Sequence, residues 1–196
     1  MMGESPATRP SLLVRIRDTG DRQAWSQFVE VYAPLVYGFA RKHGLQDADA
    51  ADLTQDVMQS VAGAVRALAY DPRRGSFRGW LHTVARNRLL DFRRKRQARG
   101  SGDTAVQAVL EAQPAPPEPD PDWDRDYERR VFAWAAERVR VEFREPTWRA
   151  FWLTAVEGRP GDEAAAELGL SLGAVHVAKS RVLARLKETV RPLLEE

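Results

Sequence analysis

Apolar residues recur every three or four positions along most of the chain, which is the period of an amphipathic α-helix. The first long stripe predicts a helix from Asp21 to His43, ended by Gly44. Its apolar members are Trp25, Phe28, Val29, Tyr32, Leu35, Val36 and Phe39. Further stripes predict a helix from near Asp47 toward Leu68 and another from about Phe77 to Lys95. Aromatic stripes at this spacing usually form core, so the N-terminal half is predicted to be helical throughout.

The C-terminal part carries the same periodicity in shorter segments. Two further stripes are predicted to be core, and they consist of Val131, Phe132, Trp134 and Ala135, and of Trp148, Phe151, Trp152 and Ala155. The predicted fold class is therefore all-α.

A helix-turn-helix is predicted within residues 161 to 186. A short alanine-rich helix, Asp162 to Leu168, meets a turn at Gly169, which supplies the positive φ that a tight turn needs. Ala165 provides the small side chain that two crossing helices require. Ser171 is placed to cap a second helix that begins at about Leu172.

The two faces of this second helix differ in chemistry. Its inward stripe is predicted to be Val175, Ala178, Val182, Leu186 and Val190. Its outward face carries Gly173, His176, Val177, Ser180, Ala184 and Lys187, with Lys179 and Arg181 beside it. The outward face is slim at its centre and basic at its edges, which suits a helix that reads base edges and holds phosphates in a major groove. The pattern favours DNA recognition over an ordinary solvated face.

Composition narrows the class of protein. The chain has 196 residues, no cysteine, and no apolar run that approaches a membrane span. Its N-terminus, MMGESPATRP, lacks the apolar core of a signal peptide. These features predict a cytoplasmic protein without disulfides, thiolate chemistry or cysteine-ligated zinc, and no cofactor or metal site is predicted.

Charge is strongly segregated although the net charge is only +2. Between Arg73 and Arg99 there are ten basic residues and one acid, Asp91. From Asp103 to Glu128 there are eight acids and one base, Arg125. A basic block this one-sided indicates a polyanionic partner.

The acidic block is also rich in proline, which predicts an extended chain rather than a helix or a strand. Residues 98–125 are therefore predicted to be a flexible acidic, proline-rich linker between two small helical domains, 1–97 and 126–196. The run Asp120, Asp122 and Asp124 is not a calcium loop, because Arg125 and Val131 occupy the positions that need glycine and a bidentate glutamate.

Two stretches and their order along the chain carry a family resemblance. ADLTQDV (residues 51–57) and FRGWLHTVARNRLLDFRRK (residues 77–95) are followed by an acidic linker and a terminal helix-turn-helix. This arrangement resembles the extracytoplasmic-function (ECF, group 4) sigma factors of the sigma-70 family, over nearly the whole chain from about Ser11 to Glu188.

The resemblance implies functions for the first domain. Core RNA polymerase would bind the second helix through Asp52, Leu53, Gln55, Asp56 and Met58. The loop from Tyr70 to Gly79 would capture a base flipped from the minus-ten promoter element. The helix after that loop would hold the same strand through Arg78, Arg86, Asn87, Arg93, Arg94, Lys95 and Arg96, with Asn87 contacting a base.

The resemblance also implies functions for the second domain and for the whole chain. The minus-thirty-five element would be read by Ala174, His176, Val177, Lys179, Ser180 and Arg181. The protein would be a monomeric transcription initiation factor without catalytic residues, which directs core polymerase to promoter DNA and helps melt it. An anti-sigma factor is a further candidate partner, and no membrane partner is implied.

Two other classes of protein stay open on the residues alone. An operator-binding regulator would use the same helix-turn-helix, commonly as a dimer on a palindromic site. It would leave the basic helix and the acidic linker without a purpose. A nuclease or other nucleic-acid hydrolase would need an active site, and His43, His82 and His176 are scattered without metal-ligand spacing.

Overall fold

A computed structural model of the chain describes residues 12–18, 20–66, 77–101 and 121–193. Within these ranges the fold is all-α, as predicted, and contains no strand. The helices are α1 Leu12–Arg15, α2 Arg22–Lys42, α3 Asp47–Arg66, α4 Phe77–Ser101, α5 Pro121–Arg140, α6 Glu145–Phe151, α7 Gly161–Leu168 and α8 Leu172–Val190. A π-helical turn, Trp152–Val156, follows α6, and a 3-10 turn, Arg191–Leu193, follows α8. Across the described ranges, no helix is both long and apolar enough to span a bilayer.

The chain forms two compact units, Leu12–Arg130 and Val131–Leu194. The first contains α1 to α4 and the first ten residues of α5. The Asp21 carboxylate caps α2 by accepting a hydrogen bond from the Ala24 amide at 2.8 Å, and Gly44 ends the helix region with φ 86°. The predicted turn at Gly44 is therefore confirmed.

An aromatic centre holds this first unit together. The rings of Phe28, Tyr32 and Phe77 lie with centroids 4.6 to 5.7 Å apart and all three side chains are buried. Aromatic pairs in edge-to-face or offset contact add to the stabilisation that burial provides. Trp25 and Val29, from the same predicted stripe of α2, are only half-buried, because they face a groove between α2 and α3.

Helix α5 corrects the predicted linker. Residues 98–101 belong to α4, and residues 121–125 form the first turn of α5, so both ends of the predicted extended segment are helical. Pro121 is compatible with helix because the first residue of a helix needs no amide donor. The boundary between the compact units falls after Arg130 rather than after Arg125. The middle of the predicted linker and most of the Tyr70–Gly79 loop lie outside the described residues.

The second unit is built around the helix-turn-helix. Gly169 has φ 64°, and the Ser171 hydroxyl accepts a hydrogen bond from the Ala174 amide at 3.2 Å, so the predicted turn and cap are confirmed. The core at the α7–α8 crossing contains Ala150, Leu153, Ala164, Ala165, Val175 and Ala178. Small side chains at the crossing let the two helices approach closely.

The core predictions for this unit hold in part. Val175, Ala178, Val182 and Leu186 are buried as predicted, whereas Val190 is half-buried. The earlier stripes place Val131, Trp134, Ala135, Trp148 and Phe151 in the core. Phe132 and Ala155 are exposed and Trp152 is half-buried, so the prediction that these three are core is wrong. They lie at the edges of their stripes, where helical spacing alone does not decide burial.

Candidate nucleic-acid interface

Acidic side chains on α3 face basic side chains on α4 across a cleft of ≈ 680 Å³. One wall is formed by Asp49, Asp52, Leu53, Gln55, Asp56 and Gln59 of α3, and the other by Phe92, Lys95 and Arg96 of α4. An Arg96 guanidinium nitrogen lies 3.7 Å from an Asp49 carboxylate oxygen. The cleft therefore brings the residues implied to bind polymerase next to two of those implied to bind DNA.

The residues of α3 implied to bind polymerase divide into surface and core. Asp52, Gln55 and Asp56 are exposed and lie on one side of the helix at spacings of three and four residues. Leu53 is 2 % exposed and Met58 is 8 % exposed. Both side chains therefore pack mainly against the helices around α3 and leave little surface for a partner, so their contact with polymerase stays a prediction.

Several arginines of α4 are already bound to acceptors of the protein itself. Arg93 donates to the His43 carbonyl oxygen at 2.7 Å, and Arg94 lies 3.9 Å from Asp91. Arg86, Arg93, Arg94, Lys95 and Arg96 are all exposed. Asn87 is half-buried on the same helix. The structure therefore presents a basic helix surface whose exposed ion pairs are weak and screened by salt.

Arg78 is the first basic residue of α4, and side chains of α5 contact it directly. Its Nε lies 2.8 Å from Asp124 Oδ1, and its guanidinium carbon lies 5.0 Å from the centre of the Tyr127 ring. The sequence analysis missed both partners because Asp124 was predicted to lie in the linker and Tyr127 in the second domain. The signal was present in Trp123, Tyr127 and Val131, which follow one another at a spacing of four and are all buried.

Helix α8 presents the face that its periodicity predicts. Ala174, His176, Val177, Ser180 and Arg181 are exposed, and the Val177 side chain is 57 % exposed at the centre of the face. An exposed apolar side chain one turn before a hydroxyl and a guanidinium matches the mixture of methyl groups, donors and acceptors in a major groove.

Lys179 departs from the predicted face. It is half-buried, and its Nζ donates to the Thr154 carbonyl oxygen at 3.2 Å. This contact ties α8 to the π-helical turn, so the primary contact of Lys179 is with the protein.

The first turn of α8 is seated against Gly161 at the start of α7. A Cβ atom at Gly161 would lie 3.0 Å from Leu172 Cδ1 and 3.4 Å from His176 Nε2. The absence of a side chain at position 161 therefore sets how closely His176 approaches α7.

Ion pairs brace the helix-turn-helix from outside. Arg185 donates to both Glu142 carboxylate oxygens, at 2.6 and 2.9 Å, and these hydrogen bonds hold the pKa of Glu142 below its ordinary value. Arg159 hydrogen-bonds Glu167 of α7 and lowers the pKa of that carboxyl in the same way. These pairs fix α8 and α7 without using the exposed face of α8.

No group of three or more potential metal ligands occurs among the residues that the structure describes. His82 is buried and packs its ring 5.1 Å from that of Trp123.

Part of the first unit matches a known protein family. Residues 28–99 match the family model described as Sigma-70 region 2. This range runs from α2 through nearly all of α4, and it contains both walls of the charged cleft.

Three curated proteins are similar to the chain. The ECF RNA polymerase sigma factor RpoE of Cereibacter sphaeroides is 39 % identical over 85 residues, which are 43 % of this chain and 46 % of that protein. The ECF RNA polymerase sigma factor SigE of Mycolicibacterium smegmatis is 31 % identical over 87 % of this chain and 64 % of its own length. The RNA polymerase sigma factor CnrH of Cupriavidus metallidurans is 29 % identical over 93 % of this chain and 94 % of its own length.

The matched region spans less than two thirds of the first two relatives but nearly all of the third. Residues 28–99 thus match sigma-70 region 2, and the chain is similar along most of its length to RNA polymerase sigma factors, including one of the extracytoplasmic-function class.

Proposed function

We propose that this protein is an extracytoplasmic-function (group 4) sigma factor, which binds core RNA polymerase, directs it to a two-element promoter and helps open the duplex. One observation carries the proposal: a region 2 domain with a charged α3–α4 cleft shares its chain with an exposed helix-turn-helix face. An operator-binding regulator needs only the second of these parts.

The exposed acids of α3 are proposed to dock the polymerase. Asp52 and Asp56 lie one helical turn apart, with Gln55 beside them, so they offer two carboxylates and an amide on a rigid surface. A cationic partner surface would pair with them through charge-assisted hydrogen bonds. Leu53, buried beneath, keeps the helix fixed while the contact forms.

The two exposed helix faces are proposed to divide promoter recognition. On α4, Arg86, Arg93 and Arg94 hold the backbone of the minus-ten strand, while Asn87 contacts a base through its amide. On α8, His176, Val177, Ser180 and Arg181 reach base edges of the minus-thirty-five element. The minus-ten contacts are proposed for the first compact unit, Leu12–Arg130, and the minus-thirty-five contacts for the second, Val131–Leu194.

The proposal places the protein in the bacterial cytoplasm, on the nucleoid during initiation, without an enzymatic activity of its own. The free chain is proposed to be a monomer, and an anti-sigma factor that occupies the α3 surface or the α8 face would hold it inactive.

Binding to core polymerase tests the function. Fluorescence anisotropy should show tight binding of the full chain to core, and the Asp52→Arg/Asp56→Arg variant should lose it. A matched control, Glu128→Arg/Glu137→Arg, makes the same charge change at exposed positions of α5 and should bind as the unchanged chain does.

Two results would contradict the proposal. If the unchanged chain binds double-stranded DNA in a salt-sensitive way but does not bind core, the operator-binding regulator becomes the better description. If both charge-reversed variants bind core equally well, the docking surface lies elsewhere than on α3.

A further inference from the structure

Two cations of the region 2 domain are paired with acids from the start of α5. Arg78 Nε lies 2.8 Å from Asp124 Oδ1, and Lys42 Nζ lies 2.5 Å from Asp126 Oδ2. Arg78 belongs to α4 and Lys42 ends α2, so the two pairs bind α5 to two different helices. Both pairs remain partly open to solvent, which keeps each one weak and exchangeable.

Aromatic rings fill the space between these ion pairs. The Trp123 side chain is 4 % exposed and lies 5.5 Å from the Phe39 ring and 5.1 Å from the His82 ring, between ring centroids. One turn later, Tyr127 stacks on Tyr32 at 5.8 Å. The first three turns of α5, residues 121–130, therefore present carboxylates and flat rings to a surface of cations and flat rings.

This covered surface has the chemistry of a single-stranded nucleic-acid site. Such sites combine cations that follow a phosphate backbone with aromatic side chains on which unpaired bases stack. Beneath α5, Lys42 and Arg78 supply the cations, while Phe39 and His82 supply rings. On α5, Asp124 and Asp126 take the place of phosphates, and Trp123 takes the place of a base.

We propose that the α2–α4 surface beneath residues 121–130 is a single-stranded DNA site, and that these turns of α5 cover it by imitating the ligand. The inference deepens the proposed promoter function and rests on it, because it gives the melted strand a surface beside the proposed minus-ten face and predicts that α5 weakens binding of that strand by the free chain.

The covered surface is continuous with the proposed minus-ten face. Arg78, His82 and Arg86 follow one another at a spacing of four residues on α4, so they lie along one side of the helix. Arg86 is exposed just beyond the two residues that α5 contacts. A strand held at Arg86 can therefore extend toward Arg78 once the acidic turns have moved aside.

Removal of the imitating charges tests the inference. Asp124→Asn/Asp126→Asn keeps the shape of both side chains and removes both ion pairs. The control Glu128→Gln/Glu137→Gln makes the same net charge change at exposed positions of the same helix. Binding of each full-length chain to a fluorescein-labelled, mixed-sequence single-stranded oligonucleotide is measured by anisotropy over a series of salt concentrations, and circular dichroism checks that α5 remains folded.

The first pair of substitutions should strengthen binding by about tenfold over the control, the upper range for two exposed ion pairs. The plot of log affinity against log salt should also steepen by about 0.7 for each additional phosphate that the uncovered cations neutralise. Equal affinities and equal slopes in the two double variants would overturn the inference, since α5 would then be only a further helix of the bundle.

A covalent lock provides a second test. The chain contains no cysteine, so Lys42→Cys/Asp126→Cys introduces the only two thiols, and a flexible bismaleimide can join them. The joined protein should bind the oligonucleotide several-fold more weakly than the same variant before joining. The single variant Lys42→Cys is alkylated by the reagent without being joined to α5, and its affinity for the oligonucleotide should not change. Unchanged binding after joining would contradict the proposed cover.

Core polymerase binding is measured on the same samples. The asparagine variants and the joined protein should still bind core, because Asp52 and Asp56 lie on α3, away from the altered residues. If the asparagine variant binds core but binds the oligonucleotide no more tightly than the control, the covered site alone is overturned. An intact charge effect without core binding would overturn the sigma-factor function and leave the covered site standing.

Discussion

The two helices proposed to contact promoter DNA differ in whether their DNA-facing side chains already contact other parts of the protein. On α4, three arginines are paired with acceptors of the protein itself. Arg78 pairs with Asp124, Arg93 with the His43 carbonyl and Arg96 with Asp49. On α8, the outward face is exposed, and the bracing contacts come from other sides of the helix, through Arg185 and Lys179.

This difference indicates two modes of binding. A face such as that of α8 can bind duplex DNA as a rigid body, since the described side chains at its centre are exposed and the stabilising contacts of Arg185 and Lys179 lie elsewhere on the helix. The arginines of α4 must give up their acceptors within the protein before they can bind phosphates. This exchange makes DNA binding by α4 less favourable in free solution. Under the proposed function, docking of polymerase on the acids of α3 would change the surroundings of the cleft and make this exchange favourable.

The largest effect on stability and DNA binding is expected from disrupting the packing of α8 against α7. Ala165→Leu places a large side chain in the buried α7–α8 crossing, and overpacking of this kind costs about 1–3 kcal/mol of unfolding free energy. Urea unfolding should show this loss, and binding of promoter DNA through the minus-thirty-five element should fail.

Ala166→Leu is the matched control, because Ala166 is exposed on the same helix. It should unfold at nearly the urea concentration of the unchanged chain. Equal destabilisation by both substitutions would show that the crossing does not depend on a small residue at position 165.

Two substitutions of intermediate effect should distinguish phosphate binding by α4 from recognition of base edges by α8. In the polymerase complex, Arg86→Ala should weaken binding to all promoter sequences alike and reduce the salt slope by about 0.7–0.9. Val177→Ser should leave the slope unchanged and alter the preference at one base position by roughly 1 kcal/mol. Filter binding over a salt series, repeated on a randomised minus-thirty-five library, measures both quantities.

The assignment of phosphate binding to α4 and base recognition to α8 is supported if Arg86→Ala changes only the salt slope and Val177→Ser changes only the sequence preference. A change of sequence preference caused by Arg86→Ala, or a change of salt slope caused by Val177→Ser, would reverse the assignment of the two helices.

The smallest effect concerns pH. Hydrogen bonds from Arg185 lower the pKa of Glu142 in the folded chain, so folding is favoured while this carboxyl is ionised. The stabilisation is fully present above the unfolded pKa of about 4.3 and is lost as the pH falls through the lower folded value. Glu142→Gln should therefore flatten the acid side of the stability profile of the second unit.

Arg185→Gln should flatten the profile to the same extent, and the double variant should add little to either single change. Additive effects would show that the two residues stabilise α8 independently. Thermal unfolding followed by circular dichroism from pH 3 to pH 7, a range chosen to span the loss expected near about 4.3, distinguishes these outcomes.

Local chemistry made α8 predictable from the sequence. Gly169, Ser171 and the stripe from Val175 to Leu186 each follow from backbone geometry or helical period, and the structure confirms all three. The position of Lys179 was not predictable, because its contact with the Thr154 carbonyl depends on a π-helical turn elsewhere in the chain.

The start of α5 shows the opposite case. Its prolines and acids favour an extended chain as far as local chemistry alone is concerned. Burial of Trp123 and Tyr127 against the region 2 domain, together with two ion pairs, outweighs the local preference. The same limit applies to Leu53 and Met58, whose burial depends on the helices packed against α3.

The sequence by itself determined the all-α class, the helix-turn-helix and the segregation of charge, because helical period, caps and turn residues act between near neighbours. Only the tertiary structure decided which charges meet. The α3 acids face Lys95 and Arg96, and the acidic start of α5 lies on Lys42 and Arg78, because packing between helices brings together side chains that are tens of residues apart.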